Sequence, residues 1–109
     1  MKCGVALGGI MRVKWTTYAT QDLVSIQDHI ARDSHQYAVV VIDRILHRVT
    51  QLESFPASGA MVPEYNRSDI REVFVHSYRI IHQILGEETR ILTVCHGANP
   101  LPGTPPEIP

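Results

Sequence analysis

Apolar residues at helical spacing occur twice in succession, separated by two polar residues, and this constrains the fold more than any other feature of the chain. Over residues 17–33, Ala19, Leu23, Ile26 and Ile30 fall at steps of four, three and four, which puts them on one face of an α-helix. From His35 to Phe55, the residues Ala38, Ile42, Ile45, Val49 and Leu52 repeat the same spacing, with Val41 and Leu46 widening the stripe. The run AVVVI inside this segment is rich in β-branched residues and locally suggests a strand, but the helical spacing persists beyond it. Asp33-Ser34 interrupts the two stripes. Ser34 is suited to cap the second helix, as Thr17 is the first, and Pro56 cannot continue a helix. Two amphipathic helices joined by so short a link fold back as an antiparallel hairpin with one shared apolar face. That face needs a second layer to bury it.

Strands supply the second layer. Met11 to Thr16 alternates Met11, Val13 and Trp15 against Arg12, Lys14 and Thr16, the period of a half-buried strand. Residues 57–69 read as a loop, with Gly59, Pro63, Asn66 and Ser68. Three strands follow: Ile70–Val75, Tyr78–Leu85 and Thr89–His96, with turns at His76-Ser77 and Gly86-Glu87-Glu88. In the last, strict alternation puts Ile91, Thr93 and Cys95 on one face and Leu92, Val94 and His96 on the other. The order β-α-α-β-β-β implies an α+β fold of two layers. An antiparallel helix hairpin packs on a mainly antiparallel sheet that includes the N-terminal strand, and the far face of the sheet is left to solvent or a partner. Residues 1–10 read as a loose N-terminal extension before a second methionine, Met11, and are too short and glycine-interrupted for a signal peptide. Residues 11–99 form the domain. Residues 100–109 form a tail with five of the seven prolines, which cannot add a strand.

Composition narrows the function classes. The 109 residues carry a formal net charge of -1, which argues against strong direct nucleic-acid binding other than through a local basic patch. Cys3 and Cys95 lack metal-ligand spacing and read as reduced thiols of a cytoplasmic protein. No apolar run approaches the roughly 20 residues that span a bilayer. His76, His82 and His96 lie on or beside different strands without local metal spacing, so no metal or other cofactor is expected. Neighbours on a strand point to opposite faces, so Cys95 and His96 do not form a thiol–imidazole pair, and Cys95 reads as a small core residue. Arg71 and Arg79, on neighbouring strands, have two readings. They form surface ion pairs with nearby Glu64 and Glu72, each worth at most about 1 kcal/mol. Alternatively, they form a guanidinium cluster on the uncovered sheet face that takes a phosphate or a partner's carboxylate.

The ordered pieces VKWT, Asp22-Leu23, Phe55-Pro56-x-x-Gly59, Val62-Pro63-Glu64, Ile70-Arg71-Glu72, Tyr78-Arg79-Ile80 and His96-Gly97 resemble the ParE branch of the ParE/RelE toxin superfamily, from Met11 to about Leu101. These are toxins of type II toxin–antitoxin modules, often called plasmid stabilisation proteins. The resemblance implies the fold derived above and two alternative activities. ParE-type members inhibit growth by binding DNA gyrase and are not enzymes, whereas RelE-type members cut messenger RNA on the ribosome. If the chain were a nuclease, Arg79 and His96 would be its catalytic residues. However, Ala98 and Asn99 stand where nucleases carry polar or aromatic groups, and the chain lacks the basic charge of ribosome-binding members. The resemblance therefore favours the ParE type, neutralised by a cognate ParD-like antitoxin of the ribbon-helix-helix class, with Arg71, Tyr78, Arg79, His96 and Asn99 as partner-binding residues. Ala60 and Asn99 replace arginines common in that branch, which leaves room for a degenerate toxin that only binds antitoxin.

Overall fold

The structure is a computed structural model that describes residues 12–97 together with Leu101; the proposed extension at 1–10 and Asn99 lie outside the described residues. Seven elements follow in chain order: β1 (Arg12–Trp15), α1 (Thr17–Ala31), α2 (His35–Gln51), β2 (Ala60–Met61), β3 (Ile70–Val75), β4 (Tyr78–Leu85) and β5 (Glu88–His96). The strands form one sheet in the order β1-β5-β4-β3-β2. β1 runs parallel to β5, and the other neighbours are antiparallel. Among the described residues no helix is long and apolar enough to cross a membrane.

The helix hairpin forms where the periodicity places it, with corrections at its ends. Thr16, rather than Thr17, caps α1: its Oγ1 accepts from the Ala19 amide at 3.1 Å. The same hydroxyl donates to the Ile91 carbonyl at 2.7 Å, with the Leu92 carbonyl at 3.1 Å, so the cap also ties the β1–α1 corner to β5. Ser34 caps α2 through the Tyr37 amide. α2 ends at Gln51, four residues before Phe55; Leu52 turns back onto the Val49 carbonyl and the chain reaches Pro56 through turns. Its buried stripe is Ala38, Val41, Ile45 and Val49. Val41 is fully enclosed, Ile42 only borders the core, and Leu46 is exposed, because the contact face is centred on the 38-41-45-49 row.

Ala19, Ile26 and Ile30 of α1 and the α2 stripe pack on Val73, Val75, Ile80, Ile91 and Val94 of the sheet. Burying each isoleucine of this set stabilises the fold by about 2 kcal/mol. The far face is partly covered by the chain itself: Val62, Ile70, Ile81 and Leu92 form a second cluster, with Tyr65 and Leu101 packed against it.

Three details of the sheet depart from the sequence reading. The loop at 57–69 contains β2, which pairs Ala60 with Glu72 and Met61 with Arg71. Gly59 permits that approach, because a Cβ there would stand 2.2 Å from the Glu72 carbonyl oxygen. Strict alternation fails in β5. Ile81 opposes Thr93 and His82 opposes Ile91, so Leu92 is an extra, bulged residue. The bulge puts Ile91 and Val94 both in the helix-side core and sends Leu92 to the far cluster. Finally, both two-residue hairpin turns carry a positive φ at their first residue, Gly86 (φ 57) and His76 (φ 54). Glycine adopts this at no steric cost, whereas a histidine does so only when its surroundings hold it there.

Candidate functional site

Arg79 is the second residue of β4, immediately after the turn, and its side chain lies on the far face of the sheet. It is only 5% exposed. Nε donates to Glu72 Oε1 at 2.7 Å, while Nη1 and Nη2 donate to the two oxygens of Glu64 at 2.8 and 3.0 Å. Nη2 also lies 2.5 Å from Glu72 Oε1. A guanidinium has two edges that can grip an oxyanion bidentately, and here both are taken by carboxylates. Arg79 holds the Glu64 carboxyl down to about 2, chiefly through their side-chain hydrogen bonds, and the two carboxylates raise the Arg79 pKa further. Glu72 is itself buried. The ion-pair reading of these residues therefore holds, with one correction: the Arg79–Glu72 pair is buried rather than at the surface.

The triad fastens the segment between β2 and β3. Glu64 follows Val62, which is fully buried in the far cluster. Asn66 (φ 51) turns the chain with its amide on the Val62 carbonyl at 2.8 Å. Asp69 accepts from Arg67 and from Gln83 of β4.

Arg71 does not join Arg79. It lies opposite His82 in the β3–β4 register, whereas Arg79 lies opposite Phe74. The two arginines therefore stand on opposite faces of the sheet, and the expected pair on the uncovered face does not form. Arg71 instead donates to the carbonyls of Ser68 and Gly59 and supports the β2 corner.

Tyr78 and His96 are brought together. They are register partners across β4 and β5, with ring centroids 5.6 Å apart at 79°. With Asp22, Ser25 and His29 of α1 and the half-buried Cys95, they line an open groove of about 360 Å³ between α1 and the end of the sheet. Sequence reasoning missed Asp22 here. Its Oδ2 accepts from the Thr93 hydroxyl at 2.5 Å and from the Val94 amide at 3.1 Å, anchoring α1 beside the bulge. Its signals in the sequence were the Asp22-Leu23 motif piece, to which no role was attached, and a charged residue next to the apolar stripe. Burial pushes the Cys95 thiol up, which disfavours the thiolate a nucleophile needs. Cys95 faces Arg79 in the register and His96 faces Tyr78, as the alternation argument expects. Among the described residues, no group of three His, Cys, Asp or Glu side chains is placed to hold a metal ion.

The remaining histidines divide by burial. His29, His35, His47 and His76 are exposed. His82 is fully buried, with Nε2 2.9 Å from the Pro56 carbonyl and Nδ1 without a partner. Its pKa is lowered, first by burial and then by Arg48 and Arg71 nearby. It is neutral, donates from Nε2 and pins the α2–β2 connection to β4.

A search of curated proteins finds no match to this chain. Among solved structures, a chain described as the chromosomal ParDE TA system from P. aeruginosa superposes with a TM-score of 0.68 at 24% identity, covering 82% of this chain and 98% of that one. The family model described as ParE toxin of type II toxin-antitoxin system, parDE, matches residues 13–101, nearly the whole span whose strands, helix hairpin and Arg79 triad are described above. The chain belongs to the ParE toxin family of type II toxin–antitoxin systems.

Proposed function

We propose that this toxin inhibits growth by binding DNA gyrase in the cytoplasm rather than by cutting RNA, and that a cognate ParD-like antitoxin neutralises it. One observation carries the choice between the two activities. The arginine that a nuclease of the superfamily would use, Arg79, has both oxyanion-binding edges occupied by Glu64 and Glu72. Stabilising a cleaving phosphate needs a preorganised cation free to meet the developing charge. Here the guanidinium and its two carboxylates sum to one negative charge, which repels a phosphate instead. Arg79 then acts as a structural clamp on the segment that follows β2.

The surface offered to a partner is the end of the sheet at Tyr78 and His96, with the groove beside α1 and Asn99 following in sequence. An amphipathic segment of an antitoxin laid there would bury the faces of both rings while its polar groups meet Asp22 and His29.

The test is induced expression of the full chain in a bacterium lacking the antitoxin, with microscopy, transcript mapping and a supercoiling assay on purified gyrase. Filamentous cells, intact messages and blocked supercoiling are expected. Cleaved messages with early translation arrest would overturn the reading. Normal growth, with folded protein that still binds antitoxin, would instead identify a degenerate toxin; restoring arginine at Ala60 and Asn99 would then be the next step.

A further inference from the structure

The connection from α2 to β2 has little to hold it. Leu52 and Val62 are fully buried at its two ends, but none of residues 53–61 is buried, and Phe55 stands 67% exposed. Segments with so little apolar burial open locally at less than the cost of global unfolding. Among the described residues, three side chains from the body of the domain tie it down. Arg48 of α2 donates to Ser58 Oγ at 3.1 Å, Arg71 of β3 to the Gly59 carbonyl at 3.3 Å, and His82 of β4 to the Pro56 carbonyl at 2.9 Å. The pairing of β2 with β3 completes the set. We propose that His82 makes this connection an acid-operated latch: protonating the imidazole releases residues 53–61, β2 included, from the edge of the sheet.

The surroundings of the ring carry the inference. His82 lies between Arg71 of β3 and Ile91 of β5 in the sheet register and is fully enclosed. Its Nε2 holds the proton that the Pro56 carbonyl accepts, so a second proton goes to Nδ1. That atom is buried and has no hydrogen-bond partner, and a buried donor left unsatisfied is costly even when neutral. The charges that reach the ring are Arg48 from α2 and Arg71 from β3, both positive. From β5 it meets Ile91, and from the connection only the Pro56 carbonyl. Among the described residues, an imidazolium here has one acceptor, two guanidinium neighbours and no carboxylate to compensate it. The closed state therefore excludes the charged ring, whereas lifting the connection lets water solvate it.

The latch acts on a limited stretch. The other two ties are arginines, which keep their protons throughout, so of the three only the imidazole titrates near neutral pH. Past Val62 the chain is fastened from the far face of the sheet by the bonds of Arg79 to Glu64. Arg79 holds the Glu64 carboxyl down to about 2, so that clamp stays charged while His82 titrates, and the opening ends there. Acid thus loosens the β2 edge of the sheet and leaves the β1 edge, on the other side of β5, in place.

The experiment is amide hydrogen exchange of the full chain at pH 7.5, 6.5 and 5.5, with each rate divided by the intrinsic rate at that pH. When only the open state takes the proton, with the ordinary histidine pKa of about 6.5, the opening constant grows about tenfold between pH 7.5 and 5.5. Protection at Val62, whose amide bonds the Ile70 carbonyl as the last rung beside β2, should fall by that factor, while the amides that pair β4 with β5 keep theirs. His82→Gln retains a donor for the Pro56 carbonyl and every other histidine, and should make protection at Val62 independent of pH. The wild-type profile separates local from global opening without the variant, so the test stands even where His82→Gln fails to fold. Protection at Val62 unchanged down to pH 5.5, a loss shared equally by β4 and β5, or a tenfold loss that persists in His82→Gln overturns the proposal.

Discussion

Removing the Arg79 guanidinium by Arg79→Met tests whether the triad is a buried structural device. The mutation leaves Glu72, which is 8% exposed, facing an apolar side chain, while Glu64, with a side chain 36% exposed, can turn to water. An uncompensated buried charge costs about 3–5 kcal/mol, a large part of the roughly 5–15 kcal/mol that stabilises a domain of this kind. The carboxylate left behind causes most of that loss, so Arg79→Met with Glu72→Leu should recover all but about 1–2 kcal/mol. Urea unfolding followed by circular dichroism at pH 7.5 measures both values. Repeating it in acid follows the ion pair with Glu64 in the wild type. The pKa of Glu64 is lowered to about 2 in the fold, so its contribution is complete above the unfolded value near 4.5 and is lost as pH falls through about 2. With a third of the side chain in water, that contribution is only about 1 kcal/mol. A single mutant costing under about 1 kcal/mol, or a double mutant no better than the single, would refute the buried-clamp argument and reopen Arg79 as a mobile phosphate ligand.

His82 predicts a second pH dependence. Its pKa is lowered in the fold, so its contribution is present above the unfolded value of about 6.5 and is lost as pH falls below that; urea midpoints should be flat from pH 7 to 8 and decline in mild acid. His82→Gln, whose amide can still donate to the Pro56 carbonyl, should remove that decline, and an unchanged decline would assign it elsewhere. Gly59→Ala should cost about 2–3 kcal/mol, because the new methyl meets the Glu72 carbonyl oxygen at 2.2 Å and Val73 Cγ1 at 2.9 Å. Amide exchange should quicken at Val62, whose N–H bonds the Ile70 carbonyl, and unaltered protection there would show that β2 accommodates the methyl.

Much of the candidate site could be read in the chain. The two-residue turn at His76-Ser77 fixes the β3–β4 register, and counting outward from it places Arg79 opposite Phe74 and Arg71 on the other face. The separation of the two arginines was therefore available from the residues, but reading them as a pair on one face overlooked it. The partners of Arg79 were also near at hand, since Glu64 and Glu72 both precede it by short spans. What the sequence did not give was burial: an ion pair reads the same on paper whether water reaches it or not.

The residues alone determined the helix hairpin, the Ser34 cap, the hairpin turns and the two-layer α+β order. Each of these depends on interactions between neighbours a few positions apart, and such interactions leave a period or a turn residue in the sequence. Tertiary structure decided the parallel pairing of β1 with β5, the bulge at Leu92, the Thr16 hydroxyl on the Ile91 carbonyl and the Asp22 carboxylate on Thr93 and Val94. Apart from the bulge, these contacts join residues more than seventy positions apart. Their geometry is set by how the helix layer settles on the twisted sheet, and no local pattern of side chains records it.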